Sequence, residues 1–351
     1  PLWFTPASAI IIMALRKKVI IIAEAGVNHN GSQTMAYKLV DAAYKSGADY
    51  IKFQTFKTEL NISKSAKKAK YQIENTNNKV ETQFEMIKKL ELSFESFIKL
   101  KKYCEDIGIG FLSTGFDLPS IDFLDELEID YFKISSGEIT NKPLLNHLAS
   151  KKRPIILSTG MAKISEIRNA IDVLTKFTLK KEDITVLHCN TEYPTPLKDV
   201  NLTAMLQIKD EVGVKIGYSD HTLGIHVAIA AVALGAKVIE KHFTLDKSLP
   251  GPDHMASLEP NELKDMIIGI RNIELATSGS GIKEVSDSER PNVIIARKSI
   301  HVSKNLERGH ILAQKDLIMK RPGDGISPME IDSVIGKTTT KNLTEDSKLE
   351  W

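Results

Sequence analysis

The chain has 351 residues, 42% of them hydrophobic, a formal net charge of +2 and two cysteines, enough for a large core and two domains. Its Lys and Arg are scattered, with no aromatic-interleaved basic patch, and no apolar run reaches the roughly 20 residues of a membrane helix; neither nucleic acid nor a membrane is an expected partner. Cys104 and Cys189 lie far apart and form no CxxC pair, so both are expected reduced, in a cytoplasmic protein.

Residues 1–17 place their apolar part before their charges, the reverse of a signal peptide. Met13 is a candidate native start, and 1–17 are expected to be an appendage outside the fold. From Lys18 onward short β-branched runs alternate with helical patterns. Strands are expected at 19–23, 50–53, 110–112, 131–134, 154–157, 185–187, 215–217 and 238–239. Leu39, Val40 and Ala43 mark a first helix closed by Gly47, and Phe97, Leu100 and Cys104 a second closed by Gly108. Ile167, Ala170, Ile171 and Leu174 follow Ser165, a candidate N-cap. Ala228, Ala231 and Val232 lead to Gly235, and Leu263, Met266, Ile267, Ile270 and Ile273 form the last helix of the series. The connection after the second strand is long: 61–78 is polar and Lys-rich without apolar periodicity, and reads either as a lid or as a solvated loop.

Eight strands, each followed by a helix, predict a closed (β/α)8 TIM barrel over 18–280. A doubly wound open sheet is the alternative, but no GxGxxG follows a strand. At 281–292 the composition turns to Gly, Ser and charge, which predicts a linker. A small module at 293–351 follows, with β-like pieces at 299–302, 310–312 and 316–319 and too few apolar residues to be comfortable alone.

Each predicted strand ends in polar groups, where barrel enzymes build their sites. Glu24 follows the first, Lys52 and Gln54 the second, Ser113 and Thr114 the third. Lys133, Ser136 and Glu138 follow the fourth, Ser158 the fifth, and His188 with 190–193, including Thr191 and Tyr193, the sixth. The most informative stretch runs from Lys215 to Thr244, where two strand runs flank one helix. In a βαβ unit both strand ends lie on one side of the sheet, so His221 and His242 face one another across neighbouring strands. Two such imidazoles can hold a divalent metal. A lone histidine is more often a hydrogen-bonded core residue; the pairing, with Ser219, Asp220, Glu240 and Lys241 alongside, favours a site.

Lys52 and Lys133 converge on the same mouth as Ser136, Ser158 and Ser219, a set suited to a phosphate or a carboxylate. Either lysine alone reads as a surface ion pair. Glu24, Glu138, Glu240 and Asp253, the last on the stiff turn of 249–253 (LPGPD), add acid–base groups or partners for sugar hydroxyls. Three functions fit: metal-assisted carbon–carbon bond formation or phosphate chemistry, a metal-independent aldolase or lyase working through a lysine Schiff base, and a non-catalytic barrel whose small module binds a partner.

Long motifs add a resemblance. IIAEAGVNHNGS, GADYIKFQTF, FKISSGEITN, HCNTEYPTP, GYSDHT, EKHFTLD, PGPDH and KRPGDGISP make the chain similar, from about Ile20 to Gly336, to sialic acid synthases. These condense phosphoenolpyruvate with N-acetylmannosamine or related sugars. The resemblance implies a C-terminal antifreeze-like (SAF) domain that caps the partner's barrel in a domain-swapped homodimer. It implies Mn2+ or Mg2+ on His221 and His242, polarising the sugar aldehyde, and phosphoenolpyruvate on Lys52, Lys133, Ser136, Ser158 and Ser219. Glu24, Gln54, Tyr193 and Asp253 would contact the sugar, Glu138 and Glu240 would lie near the reacting groups, and Arg321 would reach the N-acetyl group from the partner. Gly115 replaces a usual proline, which is expected to loosen its loop. Asn190-Thr191 inverts a usual Thr-Asn, which leaves Thr191 as the substrate-binding candidate there. The stretch 253–260 with Glu192 looks more like the branch that uses 2,4-diacetamido-2,4,6-trideoxymannose to make legionaminic acid.

Overall fold

The computed structural model describes residues 18–350 except 77 and 79, and the chain divides into two compact units between Ser278 and Gly279. The appendage expected at 1–17 lies outside the described residues.

The first unit is a closed barrel of parallel strands in sequence order: β1 (Ile20–Gly26), β2 (Tyr50–Thr55), β3 (Gly110–Gly115), β4 (Phe132–Ile134), β5 (Ile155–Ser158), β6 (Ile184–His188), β7 (Lys215–Asp220) and β8 (Val238–His242), with β8 pairing back onto β1. Most strands run further at their C-terminal ends than the apolar pattern suggests. Most of the added residues are polar, and most of those are buried, so hydrophobicity undercounts them.

Strand side chains alternate between the helix layer and the barrel interior. Ile21, Ile51, Phe53, Phe132, Leu157, Val186 and Ile239 face the helices and join the main core. Inside, Ile22, Leu112, Ile156, Leu187 and Val238 form a separate apolar floor. Two residues further along the same strands stand Glu24, Thr114, Ser158 and Glu240, while Tyr50 and Tyr131 beside the floor lead to Lys52 and Lys133. The two-residue repeat thus stacks a polar layer on an apolar one. That is what turns the strand ends into a site.

The helices follow local rules. Gln33–Ser46 buries Ala36, Leu39, Val40 and Ala43, one stripe at helical spacing; Ser32 accepts from Met35 N (3.3 Å), and Gly47 ends the helix at φ 90°. Ile164–Leu174 begins before Ser165. Lys163 is its N-cap, and Glu166 supplies the hydrogen bond by accepting from Lys163 N (2.8 Å). Gly115, expected to loosen its loop, is a buried strand residue paired with Thr55.

The long connection after β2 carries short helices at Thr58–Asn61, Lys70–Thr76 and Gln83–Lys88. Polar bonds hold it. The Lys68 ammonium, 1% exposed, donates to Glu81 (3.0 Å) and Thr76 (3.2 Å), and Ala66 O accepts from Gln83 N (3.1 Å). A segment fastened by a buried ion pair and polar hydrogen bonds has no apolar repeat to read.

The second unit pairs β9 (Ser299–Val302) antiparallel with β10 (Leu317–Lys320) over a small core that includes Ile300, Val302, Leu306, Ile326, Val334 and Leu343. Residues 310–312, expected as a strand, make only an isolated bridge from Ile311 to Thr338. A short helix, Arg290–Ala296, takes up the end of the stretch read as a linker.

Candidate active site

The strand ends enclose a cavity of about 430 Å3. Two lysines and two glutamates fill its base, all buried. Lys52 Nζ lies 2.6 Å from Glu24 and 3.6 Å from Glu240, and donates to Thr114 Oγ1 (3.1 Å). Lys133 Nζ donates to Ser158 Oγ (2.8 Å) and lies 3.4 Å from Glu240. Ser219 donates to Glu240 (2.9 Å), and Gln54 Nε2 to Glu24 (3.3 Å). Gly26, at φ 52°, leaves the space that Glu24 and Gln54 use: a Cβ there would meet Glu24 Oε1 at 3.1 Å and Gln54 Nε2 at 3.2 Å.

The two carboxylates part in acidity. Burial lifts Glu24 to about 7, with Lys52 pulling it back and Glu240 adding to the rise. Burial also opposes the charge on Glu240, but Lys133 and Lys52 overcome it and hold that group at about 2. Burial lowers Lys133; for Lys52 the same penalty is outweighed by Glu24 and Glu240, which raise it. One acid therefore stays ionised near neutrality while its neighbour is poised to exchange a proton.

Across the mouth, His221 and His242 stand with ring centroids 5.4 Å apart. His221 donates from Nδ1 to the carbonyl of Asn190, which leaves its Nε2 unprotonated, 3.3 Å from Ser219 Oγ. His242 Nδ1 is buried without a hydrogen-bond partner, 3.9 Å from the Asp253 carboxylate. Burial drops His221 to about 4 and His242 well below the usual imidazole range, the latter helped by His221 and Lys52. Neutral imidazoles with free lone pairs are the form that binds metal. Among the described residues no group of three His, Cys, Asp or Glu side chains is placed to hold an ion. A metal fits this pair provided that water or substrate oxygens complete its shell. Tyr193 stacks on His221 (4.1 Å) and meets His242 edge-on (5.4 Å), which fixes both rings. Burial raises Asp253, on the turn after β8, to about 6, against the pull of Lys52.

The cavity thus brings together Glu24, Lys52, Gln54, Lys133, Ser136, Ser158, Thr191, Tyr193, Ser219, His221, Glu240, His242 and Asp253. Glu138 is not among its lining residues. Its carboxylate accepts from Asn141 Nδ2 (2.6 Å) at the start of the helix Lys142–Ser150. Asp220 and Lys241 also turn away: by strand alternation they point outward from Ser219 and Glu240, and they form a fully buried ion pair at 2.8 Å. Asn190 spends its side chain within its own loop, on Glu192 N (2.8 Å) and Asp199 O (3.4 Å), which leaves Thr191 at the cavity. Arg321 belongs to the second unit, where it is exposed and Nε donates to Ala296 O (3.0 Å). Tyr71, Gln72, Gln83, Ile87 and Phe116 also line the cavity. Sequence reasoning missed these; a single aromatic, Tyr71, inside a lysine-rich run was the available signal.

Fold and site define a barrel enzyme whose strand-end cavity sets two buried lysines, paired with glutamates, beside two histidines. The NeuB family matches residues 39–283 and the SAF domain residues 297–351: the chain belongs to the NeuB family and carries a C-terminal SAF domain. It is 52% identical, over 94% of its length and 98% of the relative's, to the N,N'-diacetyllegionaminic acid synthase of Campylobacter jejuni. It is 49% identical to the protein of the same name from Legionella pneumophila, over 94% and 93% of the two chains. A solved structure, the N-acetylneuraminic acid (sialic acid) synthetase of Leptospira borgpetersenii in complex with citrate, is 35% identical with a TM-score of 0.70, over 79% of this chain and 90% of that one.

Proposed function

We propose that the chain is a nonulosonate synthase that condenses phosphoenolpyruvate with an N-acetylated mannosamine-type sugar, and that the sugar is 2,4-diacetamido-2,4,6-trideoxymannose, giving N,N'-diacetyllegionaminate and phosphate. One observation carries the reading: a buried Lys52–Lys133 pocket with serine hydroxyls faces a neutral histidine pair within one cavity, in a chain about half identical to two such synthases. Carbon C3 of phosphoenolpyruvate bonds to the aldehyde carbon, and the aldehyde oxygen gains a proton. Water adds to C2, and phosphate then leaves with the oxygen that bridged it to C2. Lys133, Ser136 and Ser158 hold the phosphate and Lys52 the carboxylate; Glu240 keeps both ammonium groups in place. Glu24, poised near neutrality, exchanges a proton with the sugar oxygen, and Asp253, Gln54 and Tyr193 orient the sugar hydroxyls. His221 and His242 would hold Mn2+ or Mg2+, which polarises a carbonyl oxygen.

The Schiff-base alternative asks a lysine to stand neutral and free. Lys52 instead sits between two carboxylates that raise it, and Lys133, though lowered by burial, is not free: it is tied to Ser158 and Glu240. The rest of the reading is a homodimer in which the SAF domain serves the partner's site, in the cytoplasm; two buried free thiols suit a reducing compartment.

The test is phosphate release from phosphoenolpyruvate with Mn2+ against a panel of hexosamines, with fastest turnover on the diacetamido sugar. No release with any member would end the reading. Calorimetric titration of Mn2+ into the metal-free protein should give a binding isotherm that the His221→Ala, His242→Ala double variant lacks; equal binding by both would remove the metal from these residues.

A further inference from the structure

The cavity wall changes chemistry around its circumference. On the side of β4, β5 and β6 it offers Lys133, Ser136, Ser158 and Thr191, a surface for an anion. The histidine pair, at β7 and β8, stands between that side and the wall over β1 and β2. This last wall is of another kind. Val27, Ile87 and Phe116 belong to one apolar cluster, apart from the main core, and all three reach the cavity. Beside them Tyr71, Gln72 and Gln83 come in from the long connection after β2.

That connection is fixed in place rather than draped. Tyr71 packs on Tyr193 with centroids 5.2 Å apart and ring planes tilted by 30°, and Asn75 Nδ2 donates to Pro252 O (2.6 Å), one residue before Asp253. Gln72 Oε1 is already used by Ala69 N (2.9 Å), whereas the side-chain amide of Gln83 makes no hydrogen bond among the described residues. An uncommitted amide next to an apolar patch suits a sugar end that carries an amide and a methyl. It suits a hydroxymethyl group poorly, because a hydroxyl pressed on Val27, Ile87 and Phe116 gives up water without a replacement.

We propose that Gln83, with the Val27–Ile87–Phe116 wall, forms the subsite for the distal end of the acceptor: Gln83 hydrogen-bonds an acylamino group on C4, and the wall packs on a methyl at C6. The assignment rests on the proposed condensation, which sets the aldehyde at the histidine pair and the anion at the opposite side, and so directs the far end of the sugar here. Gln83 and Ile87 are specificity-determining residues rather than members of the reacting set.

The experiment compares kcat/KM for 2,4-diacetamido-2,4,6-trideoxymannose and N-acetylmannosamine in the wild-type protein and in Gln83→Leu and Ile87→Thr, each checked for folding by circular dichroism. A site that bonds a substrate amide discriminates strongly against an analogue without it, so the ratio in favour of the diacetamido sugar should fall at least about tenfold in Gln83→Leu. Ile87→Thr, which removes a methyl group from the wall and puts a hydroxyl into it, should move the ratio in the same direction. A general weakening of the fold would lower both substrates alike. If the wild type turns over hexosamines and both variants keep its ratio, or the wild type favours N-acetylmannosamine, the subsite assignment is overturned while the condensation stands. If the wild type releases phosphate with no hexosamine, the proposed function falls and takes this assignment with it.

Discussion

Four charges share the base of the cavity, and each is defined by the others. Lys133 is buried, which lowers its pKa, and Glu240 at 3.4 Å offsets only part of that penalty. Replacing Lys133 with Met removes one charged contact to phosphoenolpyruvate. It should cost about 2–4 kcal/mol in kcat/KM for that substrate. A covalent pyruvate adduct on Lys133 after borohydride treatment would contradict the role given to it. Glu24 makes a pH prediction. Burial raises its pKa to about 7, so it takes up a proton as the pH falls through neutrality and leaves Lys52 with Glu240 as its remaining acid partner. The protonated form is the one that can give a proton to the aldehyde oxygen, so activity should fall on the alkaline side of about 7. In Glu24→Gln the residual activity should show no such step, and a step that persists unchanged assigns the ionisation to another group. At this scale the sequence was informative where one residue type at a strand end implies one direction. Lys52, Lys133, His221 and His242 could be read in that way. Glu138 could not, because its carboxylate is drawn aside by Asn141, a helix N-cap three residues later.

Among the elements, β7 and β8 show why neighbours in sequence part company in space. Ser219 and His221, like Glu240 and His242, face the cavity; Asp220 and Lys241 between them face the helix layer. A run of polar residues reads as one cluster until strand alternation splits it. The outward pair acts as a strut. Asp220 accepts from Lys241 Nζ (2.8 Å), Thr222 N (2.9 Å) and Thr222 Oγ1 (2.8 Å), and neither member of the ion pair is exposed. Lys241→Met should destabilise the barrel by about 3–5 kcal/mol, because it strands a buried carboxylate. Urea unfolding measures this, and a loss below about 1 kcal/mol would mean that water or rearrangement rescues Asp220. The connection after β2 stood out by its length, as a lid or a solvated loop, but its contacts were not legible. Buried Lys68, Gln72 and the Tyr71–Tyr193 contact follow from long-range partners that no local periodicity encodes.

At the scale of the whole chain, the Gly-, Ser- and charge-rich stretch read as a linker, 281–292, lies just beyond the boundary of the two units between Ser278 and Gly279. The second unit has its own modest core, and Arg321 stands on it with one nitrogen tied to Ala296 O (3.0 Å), which steadies the guanidinium while its two terminal nitrogens make no hydrogen bond among the described residues. A planar cation held by its Nε can offer its other two nitrogens to an amide oxygen. In the proposed homodimer each site takes its lysines from one chain and Arg321 from the other. Complementation tests this. Lys133→Ala and Arg321→Ala, each impaired alone, are mixed under conditions that allow subunits to exchange. In a mixed dimer one of the two sites then combines an intact barrel with an intact Arg321, so phosphate release should reappear, approaching half the wild-type rate per mixed dimer. Native mass spectrometry establishes that mixed dimers have formed. If they form and turnover stays at the level of the separate variants, Arg321 serves the barrel of its own chain or neither, and the exchange of small domains between subunits is wrong.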